Sequence, residues 1–254
     1  TTTTTAVDHD LTVTGACDLT GTLTLNGSTV GLGALRCNSG AVLSQDSDGT
    51  INLTSATAAA AAGWGANYSF LNNDTTSDIN FGGTMTVSAG TYFAPRTAPD
   101  YASVINNIVW NDNHYWIGKM TFQGTMIVNA STGHLQPYGS LTGGSQDIKV
   151  LGDVTVNGTL TTYKAATPDL AVEFGSLTIE DGGIYSATSG VTTIVTDIRN
   201  RTGATFTHNG GTVEFTTGAT YFIHNTGTYS TITFNNLTYS GMNCYLVQDI
   251  NVEG

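Results

Sequence analysis

Asp10-Leu-Thr-Val-Thr-Gly15, Asp153-Val-Thr-Val-Asn-Gly158 and Asp249-Ile-Asn-Val-Glu-Gly254 spell nearly the same six residues at three places in the chain. Each copy alternates apolar and polar residues over one short strand and closes on glycine, the pattern of a half-buried strand followed by a turn. The same grammar recurs outward from these copies. Examples are Gly21-Thr-Leu-Thr-Leu-Asn-Gly27, Gly83-Thr-Met-Thr-Val-Ser-Ala-Gly90, Gly124-Thr-Met-Ile-Val-Asn129, Gly175-Ser-Leu-Thr-Ile-Glu-Asp-Gly182 and Gly211-Thr-Val-Glu-Phe215. A spacing of roughly 8 to 12 residues between units suits either a sandwich or a solenoid. The similarity of the units to one another decides for the solenoid. The expected fold is all-β, a parallel β-helix with an irregular loop insertion, with an antiparallel β-sandwich pair as the alternative.

In such a helix each coil of roughly 18 to 25 residues lays its strands on those of the coil below, about 4.8 Å away. Val, Ile, Leu and Phe then point inward, while Thr, Ser and Asn form outer ladders or stacked turns. The composition agrees. Only 10% of the 254 residues are charged, and Gly contributes 31. Thr favours strands because its branched Cβ packs on a pleated surface, and Gly and Asn turn the chain between them. Nineteen acidic residues against seven basic ones give a net charge of −12. That balance argues against nucleic acid, which needs clustered Lys and Arg to neutralise phosphate. No run of about 18 apolar residues is present, so no membrane span is expected. The chain begins without Met or a basic-then-apolar leader, which reads as a processed chain or a piece of a longer one. Scarce Lys with abundant Thr, Asn and Gly resembles secreted, cell-surface or virion-surface proteins, so an extracellular location is expected.

The C-terminal third carries a specific resemblance. Ala204-Thr-Phe-Thr-His-Asn-Gly-Gly-Thr-Val-Glu-Phe-Thr-Thr-Gly218 is followed by Ile232-Thr-Phe-Asn-Asn-Leu-Thr-Tyr239 and then by Leu246-Val-Gln-Asp-Ile-Asn-Val-Glu-Gly254. This succession resembles the repeat cassette of large surface adhesins and of phage or fibre-like proteins built on right-handed parallel β-helices. It covers residues 148 to 254 best and residues 8 to 30 more loosely. The resemblance implies a fold and a surface location, not a reaction. The expected organisation is N-terminal strands over 1–55, a loop-rich insertion with alanines and aromatics over 56–118, and the main solenoid array over 119–254.

Candidate sites are sparse. Asp46, Asp48 and Asn52, around Gly49, present alternating oxygens before a turn, a short match to a Ca²⁺ loop that lacks the distal bidentate Glu; an acidic turn is the competing reading. Trp110, His114, Tyr115 and Trp116 gather aromatics and amides suited to glycan contact, or else cap a coil end. Cys17 and Cys37, 20 residues apart, suit either a disulfide between adjacent coils or two buried thiols, and Cys244 is left over. Asp100 and Asp112 are the one carboxylate pair to test for glycosidase chemistry. The five His are dispersed without metal-ligand spacing, and His208 reads as a turn-bonding residue. Eight Asn-x-Ser/Thr sequons occur, at Asn26, Asn52, Asn67, Asn73, Asn129, Asn157, Asn200 and Asn236.

The expected function is non-enzymatic: a subunit or segment of a surface filament, fibre or adhesin. Its partners would be copies of itself, joined by strand pairing through Asp249, Ile250, Asn251 and Val252. The competing expectation is a phage tail spike or fibre that binds or cleaves cell-surface glycan. No cofactor is expected beyond possible calcium.

Overall fold

The computed structural model describes residues 4–7, 10–43, 49–54, 68–72, 78–89, 92–94, 103–112, 114–116, 120–130, 134–137, 148–162, 171–216, 229–240, 246 and 249–254. For residues 4–7, 16, 68, 71, 78, 92, 94, 103, 114–116, 120 and 134–137 it gives the backbone alone. Among the described residues every regular element is a strand, and every pairing between strands is parallel. The chain is a parallel β-solenoid. The antiparallel sandwich is excluded, because successive strands sit over one another after a whole coil rather than beside one another after a hairpin.

Three faces build each coil. The first stacks, in order, Thr4–Val7, Thr22–Leu25, Val42–Leu43, Asp78–Val87, Ser103–Trp110, Met120–Phe122, Ile148–Val156, Val172–Ile179, Val191–Ile194, Thr212–Phe215 and Asn236–Tyr239. The longest of these strands turn the corner and continue on the second face, where Leu11–Leu19, Thr29–Cys37, Thr50–Leu53, Met126–Val128 and Ile198–Asn200 join them. On the third face the later part of Thr29–Cys37 is followed by Tyr68–Asn72, Tyr92–Ala94, His114–Trp116, His134–Pro137, Thr159–Thr161, Ile184–Ser186 and Thr205–Thr207. Ile232–Phe234 and Ile250–Val252 form a further parallel pair. Phe206 packs its ring on Phe234, with centroids 5.5 Å apart, which sets that pair above Thr205–Thr207.

The corner between the first two faces is where glycine is required. There the register of paired strands slips, between Ile105 and Asn107 and between Val150 and Asp153. A Cβ on Gly83 would collide with the carbonyl oxygen of Gly49, one on Gly152 with that of Gly124, and one on Gly175 with that of Leu151. Backbones of successive coils touch at this corner, so no side chain fits.

Inside, register converts the strand alternation into columns. Phe81, Ile105, Phe122, Val150, Phe174, Ile194 and Phe215 succeed one another on the first face, all buried. Aromatic alternates with aliphatic, so each ring lies over a smaller neighbour and the layers interdigitate. On the second face Val30, Ile51, Met85, Ile108, Met126, Val154, Leu177 and Ile198 do the same. A polar cluster sits in this core: the Tyr185 hydroxyl lies 3.1 Å from Thr162 Oγ1 and 3.4 Å from Thr192 Oγ1, all three residues buried. Burial pushes its pKa up to about 12, so it stays a neutral hydroxyl.

One expectation changes. Within 56–118, the strands Tyr68–Asn72, Asp78–Val87, Tyr92–Ala94, Ser103–Trp110 and His114–Trp116 lie in the ladders, so the coil stack runs through this span. What varies is coil length. Asp78 pairs with Val42, 36 residues earlier, whereas Met120 pairs with Ser103, 17 earlier. The alanine run at 58–62 lies outside the described residues. The copies of the repeated hexapeptide do not share one face. Copies one and two lie on the second face, where Asp10 Oδ1 accepts the Thr29 N–H at 2.9 Å and Asp153 Oδ1 accepts the Ser176 hydroxyl at 2.7 Å. The third copy lies on the third face, pairing Ile250 with Ile232.

Candidate functional site

The most regular polar feature is a ladder at the corner after the second face. Ser88, Asn111, Asn129 and Asn157 each follow a second-face strand, and each backbone N–H donates to the coil below. Asn157 Nδ2 donates to Asn129 Oδ1 at 2.7 Å, Asn129 Nδ2 to Asn111 Oδ1 at 3.2 Å, and Asn111 Nδ2 to Ser88 Oγ at 3.5 Å. An amide has a donor end and an acceptor end, so identical side chains one coil apart satisfy one another. Glu180 and Arg201 continue the corner as an ion pair of 3.5 Å. We expect Asn157→Ala and Asn129→Ala each to lower stability by about 1 kcal/mol in chemical denaturation. The double variant loses less than the sum, because the two share one bond. The ladder also sorts the sequons. Asn26, Asn129, Asn157 and Asn236 are exposed, the Asn129 and Asn157 amide nitrogens donating within the ladder, and Asn200 is buried.

Of the residues expected to contact glycan, the structure describes the side chain of Trp110, and the other three by backbone register. Trp110 is 0% exposed, and its indole meets Phe93 edge-on with centroids 5.0 Å apart. Trp110 is therefore a core residue, held inside by the alternation of Ile108 and Trp110 with half-buried Val109. Trp116 occupies the register of Phe93, which is itself buried and stacked 4.8 Å from Phe70. Tyr115 occupies a different column, in register with Tyr92. His114 pairs in register with Leu135.

Cys17 and Cys37 are free thiols. Register explains why: Cys17 pairs with Leu35 and Cys37 with Leu19, so the two cysteines are offset by two residues on adjacent coils. That diagonal is about 8 Å from strand spacing and rise, beyond the roughly 7 Å that a disulfide spans. Burial raises the pKa of both thiols, more strongly at Cys37, which keeps them protonated and unreactive. Asp46, Asp48, Asp100 and Cys244 lie outside the described residues. Asn52 is half-buried on the second face, in register with Gly31 and Thr86. Among the described residues no three His, Cys, Asp or Glu side chains come together as a metal-holding group. His208 serves a turn, its Nδ1 accepting the Gly210 N–H at 3.0 Å, while Asn209 takes a left-handed φ of 49° and donates back to Ser186 and Ala187.

The two end coils are the remaining candidates. Ile250–Val252 pairs with Ile232–Phe234 on one side and, among the described residues, with no strand on the other. Val252 is 49% exposed, Asp249 and Asn251 are exposed, and Ile250 is half-buried against the core. Glu253 adds a 3.4 Å contact to His208. At the opposite end Leu11–Leu19 pairs with Thr29–Cys37 alone among the described residues, and Leu11 is 45% exposed. Comparison of the chain with protein-family models, curated proteins and solved structures finds no match. Fold and ends together define a parallel β-solenoid whose terminal described strands are paired on one side.

Proposed function

We propose that this protein is an extracellular structural solenoid, a subunit or segment of a surface filament, fibre or adhesin that joins copies of itself through strand pairing at its end coils. The observation that carries this reading is the parallel coil stack, whose outermost strands, Ile250–Val252 and Leu11–Leu19, each pair with one strand among the described residues and carry exposed Val252 and Leu11. A one-sided strand leaves a row of N–H and C=O groups open to another chain, and apolar side chains beside it add burial to the pairing. The cassette resemblance around Phe206 to Phe215 points to the same surface setting.

Charge sets the conditions. Copies that each carry −12 repel one another, so association strengthens as salt screens them. The test is sedimentation and negative-stain microscopy of the protein, of a variant lacking residues 249–254, and of Val252→Lys. We expect the first to form end-to-end assemblies, and both variants to shift toward single rods with unchanged circular dichroism. Wild-type protein that stays a single rod at all concentrations and salts overturns the proposal, as do variants that assemble as well as wild type.

A further inference from the structure

The buried column of the second face, from Val30 to Met126, fixes which residues of that face point outward: those on either side of each buried one. One outward column runs Thr29, Thr50, Thr84, Asn107 and then Thr125, the residue before Met126. The other holds Gly31, Asn52, Thr86, Val109 and Ile127, and continues to Thr155 and Thr178. All of these residues are half-buried or exposed.

Two properties set this strip apart. It carries no charge across five successive coils, from the coil after Asp10 to the coil before Asp153, in a chain of net charge −12. The outer sides of the other faces carry charge, Lys149, Glu173 and Glu214 on the first and Asp18 and Arg36 on the third. The strip is also stiff. From Thr86 to Thr178 one column is β-branched without a break, which leaves each χ1 little freedom. Asn107 ties the other column. Its Nδ2 donates to Thr84 Oγ1 at 3.4 Å, and its Oδ1 accepts the Thr125 N–H at 2.8 Å and the Thr125 hydroxyl at 3.2 Å.

Size and chemistry narrow the ligand. Five coils about 4.8 Å apart and two columns about 7 Å apart make a strip of about 300 Å² once side-chain margins are added. A standard protein interface takes about 800 Å² from each partner, so the strip is small for a protein. Its five coils hold no basic side chain for phosphate, no aromatic one for sugar rings and no carboxylate for a cation. They hold hydroxyls, amides and methyls at fixed intervals. A threonine hydroxyl donates one hydrogen bond and accepts two, as a lattice water can. The methyl beside it orders the water that it cannot bond. Charged groups would instead keep water in shells of their own.

We infer that this strip binds ice, whose rows of oxygens repeat at close to the coil spacing and seat along the two columns. Single rods carry the whole strip, so the inference does not rest on end-to-end assembly.

The experiment measures, for the full chain, the gap between melting and freezing points of a seeded ice crystal and the inhibition of ice recrystallisation. Both are expected. Thr86→Lys puts an ammonium in the middle of the strip, and desolvating it against a solid should raise the concentration needed for inhibition about tenfold or more. Thr193→Lys puts the same charge on the outer side of the first face, between Glu173 and Glu214, and should stay within about twofold. Circular dichroism accompanies each variant, and if Thr86→Lys unfolds, Val109→Lys carries the same expectation. Folded wild-type protein without either activity overturns the inference. So does full activity of the folded strip variants, or an equal loss in Thr193→Lys. Sedimentation supplies the remaining outcome: side-by-side dimers that Thr86→Lys dissolves, with no activity on ice, give the strip to a second copy and overturn the inference as well.

Discussion

Gly158→Ala is expected to lower stability by about 3 kcal/mol, a large fraction of what a domain possesses. Gly158 closes the second copy of the repeated hexapeptide, and an added Cβ there would run into the carbonyl oxygen of Ala130 in the coil below. A backbone oxygen cannot rotate aside as a flexible side chain does, and Ala130 is itself buried. The neighbouring hydrogen bonds leave no slack, since the Gly158 N–H donates to Val128 O at 2.9 Å and Ile184 N–H donates to Gly158 O at 2.8 Å. The control is Gly15→Ala at the same place in the first copy. Its added methyl meets nothing within 4 Å, so the change is expected to stay within about 0.5 kcal/mol. Urea denaturation of the two variants checks the contrast. Equal effects would mean that coils do not stack in this register.

Trp110→Ala is expected to cost about 3–5 kcal/mol, the range for emptying a buried Trp site. The indole is the largest fully buried side chain among the described residues, with Val87 and Val128 as its register neighbours and Phe93 edge-on at 5.0 Å. Valines above and below are the small partners that admit it, and they are β-branched and stiff, so they close poorly over the void. Trp110→Phe should lose less, because the ring contact with Phe93 survives. Denaturation midpoints and near-ultraviolet circular dichroism measure both. A folded Trp110→Ala protein of unchanged stability would return Trp110 to the surface and reopen it as a glycan contact.

The parallel β-solenoid was legible in the sequence because its two causes are local. Alternation of period two marks a strand wherever it occurs, and a recurring glycine marks the turn that resets it. His208-Asn209-Gly210 was legible as a corner for the same reason: a left-handed Asn followed by Gly is a local conformational demand, and the bonds to Ser186 and Ala187 only confirm it. The glycan-contact group was misread at Trp110, because Trp110-Asn-Asp-Asn-His-Tyr-Trp116 is a cluster in sequence, whereas burial depends on which residue shares a column with it. Polar neighbours made the whole stretch look exposed, which holds for Asn111, a rung of the surface amide ladder, and not for Trp110 beside it.

What the sequence by itself determined is the unit: short strands, glycine corners, an apolar inner side and an acidic, Lys-poor surface. What only the tertiary structure decided is which units lie over one another. The hexapeptides ending at Gly158 and Gly254 read alike, yet one lies on the second face and the other on the third. Coil spacing varies from the 17 residues between Ser103 and Met120 to the 36 between Val42 and Asp78, so no fixed period predicts the partner. The register of Tyr68–Asn72 on Tyr92–Ala94 shifts at Ser69, and Cys17 is offset from Cys37 by two residues. The physical reason is common to all of these. A strand's pattern says which side is apolar, but register is set by loop lengths and by the fit of each inward side chain over the one below, and those are properties of neighbouring coils rather than of any one segment.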